Sequence, residues 1–233
     1  MVGELHCHTN LSAPKWIHRA LPSPEEVVDR AVSVGLDFLV ITDHDSFEAF
    51  EVVESYARQK GLVLIPGAEV TTRPSIVLRR RCHILAVGVS EGVESYIPIE
   101  DTLKQIRKQN GIAIAAHPFC SQFAKTLYIG HQVGDYAFDG IEVFNSSEIS
   151  EDNRKSAALA TVLGLPGFAG SDAHSLGNIG RARVEVHIEH TKDWRNIVRG
   201  LRENKFEIVA REYATRGFKQ FFFGHLFRTY SQQ

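Results

Sequence analysis

The 233-residue chain contains little cysteine, tryptophan or methionine, and it has no long hydrophobic run. Three scattered cysteines are too few for a disulfide framework or a CxxC zinc clip, which indicates a reducing compartment. No apolar stretch reaches the roughly 18 residues that a membrane-spanning helix needs. The first residues also lack the charged start and apolar core of a secretory signal. We therefore expect a cytoplasmic globular protein for which a membrane is not the expected partner.

Acidic and basic residues are distributed unevenly along the chain. The formal net charge is −2, yet residues 191–233 carry 9 Lys and Arg against 4 Asp and Glu, so the preceding part is acidic. The acidic part indicates clustered carboxylates, and the basic end indicates an anionic partner or a contact within the protein. A solvated helical surface would explain the basic end equally well.

Short runs rich in Val, Ile, Leu and Phe alternate with helix-like segments, which is typical of repeated βα units and a parallel sheet. The first helix has a clear start, because an N-cap serine precedes a proline and two acidic residues. About seven strands with helices between them favour a TIM-like α/β barrel over an open sheet. The predicted strands are Val2–His6, Leu36–Ile41, Leu62–Pro66, His83–Val89, Ile112–Ala116, Gly140–Phe144, Gly167–Gly170 and Arg183–Ile188. The predicted helices are Ser23–Gly35, Phe47–Lys60, Ile99–Gln109, Glu151–Leu163 and Asp193–Asn204.

Histidines and carboxylates recur where the predicted strands end, at the edge that carries the active site in barrels. Side chains alternate along a strand, so His6 and His8 point to one face and Cys7 to the other. A single histidine on an apolar strand is more often a core residue, but packing alone does not explain imidazoles at the same level of successive strands. The full set is His6, His8, Asp43, His44, Glu69, His83, His117, Asp172 and His174.

The composition of this set indicates a metal centre. Mixtures of imidazole and carboxylate suit Zn, Mn or Fe, and Glu69 can bridge two ions through its two oxygens. The set contains more ligands than one tetrahedral zinc ion needs. We therefore infer a multinuclear centre.

Seven strings carry a family resemblance: ELHCHTNLS, SPEEVVDRAVSVGLDFLVITDHD, IPGAEV, CHILAVG, AAHPF, IEVFN and GSDAHSLGNIG. In this order, between about residues 3 and 190, they resemble the polymerase and histidinol phosphatase (PHP) family of metal-dependent phosphoesterases. The resemblance implies a distorted seven-stranded (β/α) barrel over residues 1–190, with two or three divalent ions (Zn, Mn or Fe) at its mouth. Residues 191–233 would form a helical C-terminal extension.

The resemblance also implies how the ligands are shared among the ions. One ion takes His6, His8, Glu69 and Asp172, a second shares Glu69 and adds His83 and His117, and a third uses His44 and His174. Many relatives add an aspartate from an HxHTxxSDG motif, but this chain has Ser12-Ala13-Pro14 there. We predict that His18 from the same loop replaces it; the alternative is a solvent-exposed loop histidine.

Further side chains are predicted around these ligands. Asp43 either orients an imidazole or is a direct ligand, and Glu142 lies in the barrel interior or orients a ligand. We assign catalysis to Glu69, Asp172 and His174. The candidates for binding the substrate phosphate are Arg79, Arg80, Arg81 and Arg181.

The predicted activity is hydrolysis of a phosphate ester of a small metabolite or nucleotide. Metal ions lower the pKa of bound water toward ~7 and can clamp the attacking and leaving oxygens, so the nucleophile would be metal-activated hydroxide. An exonuclease or oligonucleotide-trimming enzyme is the alternative, although the near-neutral charge and the lack of an aromatic and basic platform disfavour long nucleic acid.

Two other classes of protein remain as alternatives. An amidohydrolase would need a bridging lysine on a middle strand, and the sequence places none at a strand end. A non-catalytic scaffold barrel would have lost ligands, whereas every ligand position except the loop aspartate is filled.

The segment after Gly217 is rich in phenylalanine. Its apolar side chains form one face at helical spacing: Phe218, Phe222, Phe223 and Leu226. We expect this face to dock onto the barrel or onto a partner subunit in a homo-oligomer. An amphipathic membrane helix is the alternative.

Overall fold

The computed structural model describes residues 1–15, 21–73, 81–120 and 129–210. In chain order the strands are β1 (Val2–Glu4), β2 (Phe38–Val40), β3 (Val63–Ile65), β4 (Gly67–Thr71), β5 (His83–Val87), β6 (Ile112–Ala115), β7 (Gly140–Asn145), β8 (Gly167–Gly170), β9 (Ala182–Val186) and β10 (Phe206–Ala210). The helices are α1 (Pro24–Ser33), α2 (Glu48–Gln59), α3 (Ile99–Lys108), α4 (Ser150–Leu163) and α5 (Trp194–Arg202). Two short 3₁₀ helices span Gly130–Asp135 and Leu176–Asn178.

The strands form two five-stranded sheets, in the orders β10-β9-β1-β2-β3 and β4-β5-β6-β7-β8. In the first sheet β1, β2 and β3 are parallel, while β9 is antiparallel to β1 and to β10. In the second sheet β5 is antiparallel to both neighbours, and β6, β7 and β8 are parallel. The protein therefore has a mixed α/β fold.

The predicted elements are present with bounds that differ by at most two residues at either end. The expectation of a parallel sheet holds for part of each sheet, but both sheets also contain antiparallel strands. Two strands were also missed, β4 and β10. β4 begins with Gly67 directly after Pro66, a dipeptide that reads as a turn, and all five of its residues are buried. β10 alternates between half-buried and exposed residues, as expected for a strand with one solvated face.

Helix α1 shows how local sequence sets an element's start. The side chain of Ser23 accepts a hydrogen bond from the backbone N–H of Glu26, and the Glu26 carboxylate accepts one from the backbone N–H of Ser23. This capping box satisfies two N–H groups that have no partner within the helix. Gly35 then adopts a φ of +77° just beyond the helix, a conformation that favours glycine.

Three apolar clusters fill the layers. The central cluster lies between the sheets and includes Leu5, Phe38 and Phe168, with Ile197 and Leu201 of α5 packed into it. A second cluster joins the β4–β8 sheet to α3 and α4, and a third joins β2 and β3 to α1 and α2. Helices α1–α4 thus cover the outer faces of the sheets, whereas α5 packs against the central cluster.

Backbone contacts also join both edge strands of the second sheet to segments that follow strands of the first sheet. One isolated parallel bridge pairs Cys7, which follows β1, with Ala173, which follows β8. Another pairs His44, which follows β2, with Glu69 in β4. The same contacts bring the polar ends of these strands together. The closed seven-stranded barrel itself stays a prediction.

The predicted C-terminal extension begins within the described residues. Helix α5 packs on the central cluster, and β10 pairs along its whole length with β9. The domain boundary at residue 190 stays a prediction, and the phenylalanine-rich segment lies outside the described residues. Among the described helices, none combines the length and apolar character required to cross a membrane.

Candidate metal centre

The predicted ligands converge at one edge of the two sheets. His6 and His8 follow β1, His44 follows β2, and Glu69 lies within β4. His117 comes two residues after β6, and Asp172 and His174 follow β8. The expectation that His83 ends a strand is wrong, because it is the first residue of β5. β5 runs antiparallel to both neighbours, so its start lies at the edge where the parallel strands end.

Four of these side chains, which we call the inner group, surround one point: His6, His8, Glu69 and Asp172. Nε2 of His6 lies 3.3 Å from Oε2 of Glu69 and 3.4 Å from Oδ1 of Asp172. Nε2 of His8 lies 3.3 and 3.1 Å from the same two oxygens. Ligands at bond lengths of about 2.0–2.1 Å around a tetrahedral cation are separated by ~3.3–3.4 Å. The spacing of the inner group therefore fits one cation.

Glu69 extends the cluster through its second oxygen. Oε1 lies 2.8 Å from Nδ1 of His83 and 2.8 Å from Nε2 of His117. Oε2 also lies 3.1 Å from Nδ1 of His44. One buried carboxylate thus contacts five imidazoles, an arrangement suited to bridging two cations.

Three histidines form what we call the outer group: His8, His44 and His174. The ring of His8 lies between the other two, with centroid distances of 4.5 Å to His44 and 4.4 Å to His174. Nδ1 of His174 donates a hydrogen bond to the carbonyl oxygen of Asp172. This hydrogen bond holds the His174 ring beside that of His8.

The ligand nitrogens face carboxylate oxygens closely enough that positive charge is needed among them. Nδ1 of His6 lies 2.8 Å from Oε1 of Glu142, and its Nε2 faces oxygens of Glu69 and Asp172. Burial lowers the pKa of His6, but these carboxylates hold it well above its usual value, so a proton or a cation has to lie on the Nε2 side of the ring. Nδ1 of His83 is buried without a hydrogen-bond partner, although Glu69 is near. Lone pairs directed at anions are costly unless a cation lies between them. The donor set therefore fits divalent metal.

The charges in the centre shift the pKa values of its groups in opposite directions. Burial acts to raise the pKa of Glu69, but the imidazoles of His83, His44 and His6 outweigh it and hold that pKa well below the usual range. Burial lowers the pKa of His117, yet the hydrogen bond with Glu69 raises it overall to about 9. Burial holds the pKa of His44 well below its usual value. The carboxylate is thus ionised, while the His44 imidazole is neutral.

Glu142, in the middle of β7, supports the ligands from behind. Besides His6, it accepts hydrogen bonds from the backbone N–H of His117 and from Nδ2 of Asn145, the latter at 3.1 Å. Nδ2 of Asn145 also lies 3.3 Å from Oδ2 of Asp172. This carboxylate and amide therefore link ligands from three different strands.

Asp43 is predicted to orient an imidazole or to bind metal, and its carboxylate is instead engaged by the loop after β1. It accepts hydrogen bonds from the backbone and hydroxyl of Thr9 and from the hydroxyl of Ser12. The Ser12 hydroxyl lies 3.5 Å from Nδ1 of His8. Asp43 thus reaches an imidazole through Ser12, which the sequence analysis did not single out.

Another buried carboxyl group, that of Glu4, supports the backbone near the centre. It accepts hydrogen bonds from the backbone N–H groups of Ser171 and Gly180, at 2.7 and 2.9 Å. Ser171 precedes Asp172, which has a φ of +52°. Glu4 therefore fixes the backbone that presents Asp172, a role to which nothing in the local sequence points.

Of the remaining predicted residues, the structure describes Arg81 and Arg181, and neither is part of the cluster. Arg81 lies two residues before His83 on the exposed surface, with its guanidinium carbon 5.3 Å from the ring centroid of Tyr96. Arg181 immediately precedes β9. His18, Arg79 and Arg80 lie outside the described residues, so their roles stay predictions.

Two family models match the chain. The PHP domain matches residues 4–117, and the PHP-associated region matches residues 150–206. Among curated relatives, an uncharacterised protein of Methanocaldococcus jannaschii is 28% identical over 151 residues, which are 63% of this chain and 82% of the relative. A Haemophilus influenzae 5′-3′ exoribonuclease is 27% identical over 48% of this chain, but the match spans 37% of that protein.

Solved structures share the fold at low identity. A two-domain Bacteroides vulgatus protein that contains a predicted PHP-like metal-dependent phosphoesterase has a TM-score of 0.69 at 20% identity, covering 90% of this chain and 64% of that one. An amidohydrolase from Chromobacterium violaceum has a TM-score of 0.63 at 20% identity, covering 88% and 97%. With the two family matches in the order that the sequence motifs predict, the chain belongs to the PHP family.

Proposed function

We propose that this protein hydrolyses phosphate esters of small metabolites or nucleotides at the candidate metal centre. The observation that carries the proposal is the inner group, in which two imidazole nitrogens and two carboxylate oxygens are 3.1–3.4 Å apart across a buried point. Relatives named for phosphodiester chemistry support it, namely the exoribonuclease and a phosphoribosyl 1,2-cyclic phosphate 1,2-diphosphodiesterase from Eggerthella lenta, 24% identical over 48% of this chain.

The centre would hold two or three divalent cations, Zn, Mn or Fe. The inner group would bind one, the other oxygen of Glu69 with His83 and His117 a second, and the outer group a third, with His18 as a further ligand. Such cations lower the pKa of a bound water and neutralise charge on a phosphoryl group. Glu69 would fix the spacing of the first two positions, because both of its oxygens are engaged.

Among the described ligands, His174 is the most exposed, so a substrate would reach it first. Its side chain is 43% exposed, whereas those of His6 and Glu69 are fully buried. The hydrogen bond from its Nδ1 to the backbone of Asp172 holds the ring in place. Substrate would therefore approach past His174, with Asp172 and Glu69 beneath it, which is the catalytic role proposed for these three residues.

Arg81 would bind the substrate phosphate at the rim of the centre. Thr71 of β4 lies opposite His83 of β5 in the antiparallel pairing of these strands. The backbone N–H of Tyr96 donates to the carbonyl oxygen of Thr71 at 2.7 Å. The Arg81 and Tyr96 pair thus lies close to a predicted ligand. A guanidinium suits phosphate geometry, and Arg181 is the second candidate.

A short oligonucleotide is the second candidate substrate. The exoribonuclease relative favours it, and Tyr96, 51% exposed beside Arg81, provides one face on which a base can stack. A nucleotide and a short oligonucleotide are therefore both candidate substrates for binding beside Arg81 and Tyr96.

One assay separates these substrates. Metal-free protein is supplied with Zn, Mn or Fe in turn. Each metal is tested with a nucleoside monophosphate, a short oligoribonucleotide and, as the control, an amide substrate. We expect phosphate or nucleotide release with at least one metal. Amide cleavage without phosphate release would favour the amidohydrolase alternative, and bound metal without any hydrolysis would favour a non-catalytic scaffold.

The same proposal includes the wider architecture. β1, β2, the continuous β3–β4 segment and β5–β8 would form the distorted seven-stranded barrel, supported by the two bridges that join the sheets. Residues 191–233 would pack on this barrel or on a second copy of the chain. Size-exclusion chromatography of the full chain, compared with a chain ending after Thr215, tests the second copy.

A further inference from the structure

A second cluster of metal-binding atoms lies beside the centre, between the segments that follow β6 and β7. A ring nitrogen of His117, Sγ of Cys120 and a carboxylate oxygen of Glu148 all lie within 4.8 Å of one another. A turn brings the first two together, because the backbone N–H of Cys120 donates to the carbonyl oxygen of His117. A second turn, from Glu148 back to Asn145, presents the carboxylate. We call these three side chains the flanking group.

Two polar atoms of the flanking group are buried without a hydrogen-bond partner. They are Nδ1 of His117 and Oε2 of Glu148. Nε2 of His117 already contacts Oε1 of Glu69 at 2.8 Å, so Nδ1 is the nitrogen left for the flanking group. The residue is 8% exposed, which leaves bulk water little access to this nitrogen. A buried polar atom without a partner calls for an explanation such as an ion or an ordered water.

The chemistry of the three donors favours zinc. A thiolate selects soft or borderline cations, and zinc binds thiolate, imidazole and carboxylate together, whereas Mn²⁺ and Mg²⁺ prefer oxygen. Cys120 and Glu148 already share a hydrogen bond, so the sulfur and the carboxylate face each other. A cation between them would replace the thiol proton.

We propose that Nδ1 of His117, Sγ of Cys120 and the carboxylate of Glu148 bind a zinc ion that is separate from the hydrolytic centre. His117 then bridges two cations through its two ring nitrogens. On binding, the Cys120 thiol and the His117 ring each release their remaining proton to solvent, and water takes the fourth position. The ion ties the segment after β6 to the segment after β7 and fixes the ring plane of His117.

Cobalt(II) tests this proposal without using activity. Thiolate bound to Co²⁺ gives a charge-transfer band in the near ultraviolet, and the ligands of the hydrolytic centre include no cysteine. We expect metal-free wild-type protein to develop this band on titration with Co²⁺ and to lose it when Zn²⁺ is added. A wild-type protein that binds Co²⁺ without the band would overturn the proposal and indicate a bridging water instead.

Matched variants identify the ligands. Cys120→Ser should abolish the band, whereas Cys82→Ser should retain it, because Cys82 is equally buried but lies beside Thr72 and outside the flanking group. A band that persists in Cys120→Ser contradicts the proposal. Circular dichroism checks that the variant folds.

If Cys120→Ser does not fold, Glu148→Gln decides the question. This variant should lower the Co²⁺ affinity read from the band by at least about tenfold, and exposed Glu91→Gln is the control. An unchanged affinity overturns the proposal. A normal band in a protein without hydrolytic activity would count against the proposed function and leave the zinc site supported.

Discussion

The inner and outer groups share His8 but differ in charge, burial and support. The inner group contains two carboxylates, and its histidines and Glu69 are buried. The outer group contains three imidazoles and no carboxylate, and the side chain of His174 is 43% exposed. Burial, followed by the neighbouring His8, lowers the pKa of His174. The inner group therefore presents two carboxylates to a cation, whereas the outer group presents imidazoles, and the pKa values of His44 and His174 are both lowered.

This difference indicates how the two positions are used. Two carboxylates offset the charge of a divalent cation, so under the proposed function the inner position would keep its ion without substrate. The outer position would lack that compensation, and a substrate phosphate would supply the missing negative charge. We expect tight, permanent binding at the inner group and weaker, substrate-assisted binding at the outer group.

The largest effect is expected for Glu69→Gln. The substitution removes the negative charge and places an amide among five imidazoles, so both positions that share Glu69 should lose their cation. Because cations contribute several kcal/mol to such reactions, turnover should fall by about 10³-fold or more. Elemental analysis and steady-state kinetics measure the two effects. Full metal content in this variant, with exposed Glu91→Gln as control, would disprove the bridging role.

Gly170→Ala should disturb the inner group selectively. A Cβ at this position would overlap Cβ of His6 and lie 2.7 Å from Oε1 of Glu142. We expect a loss of about 1–3 kcal/mol in the free energy of unfolding, together with weaker metal binding. Gly177→Ala is the control, since nothing lies within 4 Å of its added Cβ. Equal unfolding midpoints for the two variants in urea would refute the close approach.

Glu142→Gln tests the support behind the inner group. A glutamine has one acceptor oxygen for the several donors that the carboxylate now accepts, including Nδ1–H of His6 and the backbone N–H of His117. We expect metal affinity to fall by about 10–100-fold, as for other groups that orient ligands. Competition with a coloured chelator measures it. Glu142→Asp should not restore the affinity, because the shorter side chain cannot reach both donors.

The sequence predicted which polar residues lie together better than it predicted the strands that carry them. The residue types and the family resemblance placed His6, Glu69 and Asp172 in one set, and the structure brings these side chains together. The direction of β5 was not predictable from its own residues, because strand direction depends on which neighbours pair with it. His83 nevertheless reaches the centre, since reversing the strand also reverses the end on which the residue lies.

The supporting contacts were the least predictable part of the site. Glu142 and His6 are 136 residues apart, and Glu4 and Ser171 are 167 apart, so no local pattern relates them. The missed strand β10 did carry a local signal, because Phe206, Ile208 and Ala210 alternate with more exposed residues. A period-two pattern over only five residues does not exclude a continuation of the preceding helix α5. The strand is established by its pairing with β9.

His174→Ala should have a smaller effect than any inner-group variant. It removes one ligand of the outer group and leaves all four inner ligands in place. We expect the inner cation to remain and turnover to fall by about tenfold, with the loss reduced by excess metal, because the proposed third cation would exchange with solvent. Native mass spectrometry counts the ions. Loss of the inner cation as well would show that the two groups bind as one unit.

The smallest effect on the centre is expected for Glu4→Gln, which instead changes how stability depends on pH. Burial raises the pKa of Glu4 to about 7, because the hydrogen bonds from Ser171 and Gly180 and the charge of His6 offset only part of the effect of burial. Between pH ~4.5 and ~7 the folded protein therefore keeps a proton that the unfolded chain has lost.

The sign of the Glu4 effect follows from this difference in bound protons. Rising pH through the window should weaken folding by at most about 3 kcal/mol, the loss being complete above pH ~7. Replacement by glutamine removes this slope and adds a constant cost from the poorer acceptor for the N–H of Gly180. Urea unfolding of the metal-free proteins across the window measures the difference. A wild-type minus variant difference that does not change with pH would show that Glu4 is ionised in the fold, as Glu69 is.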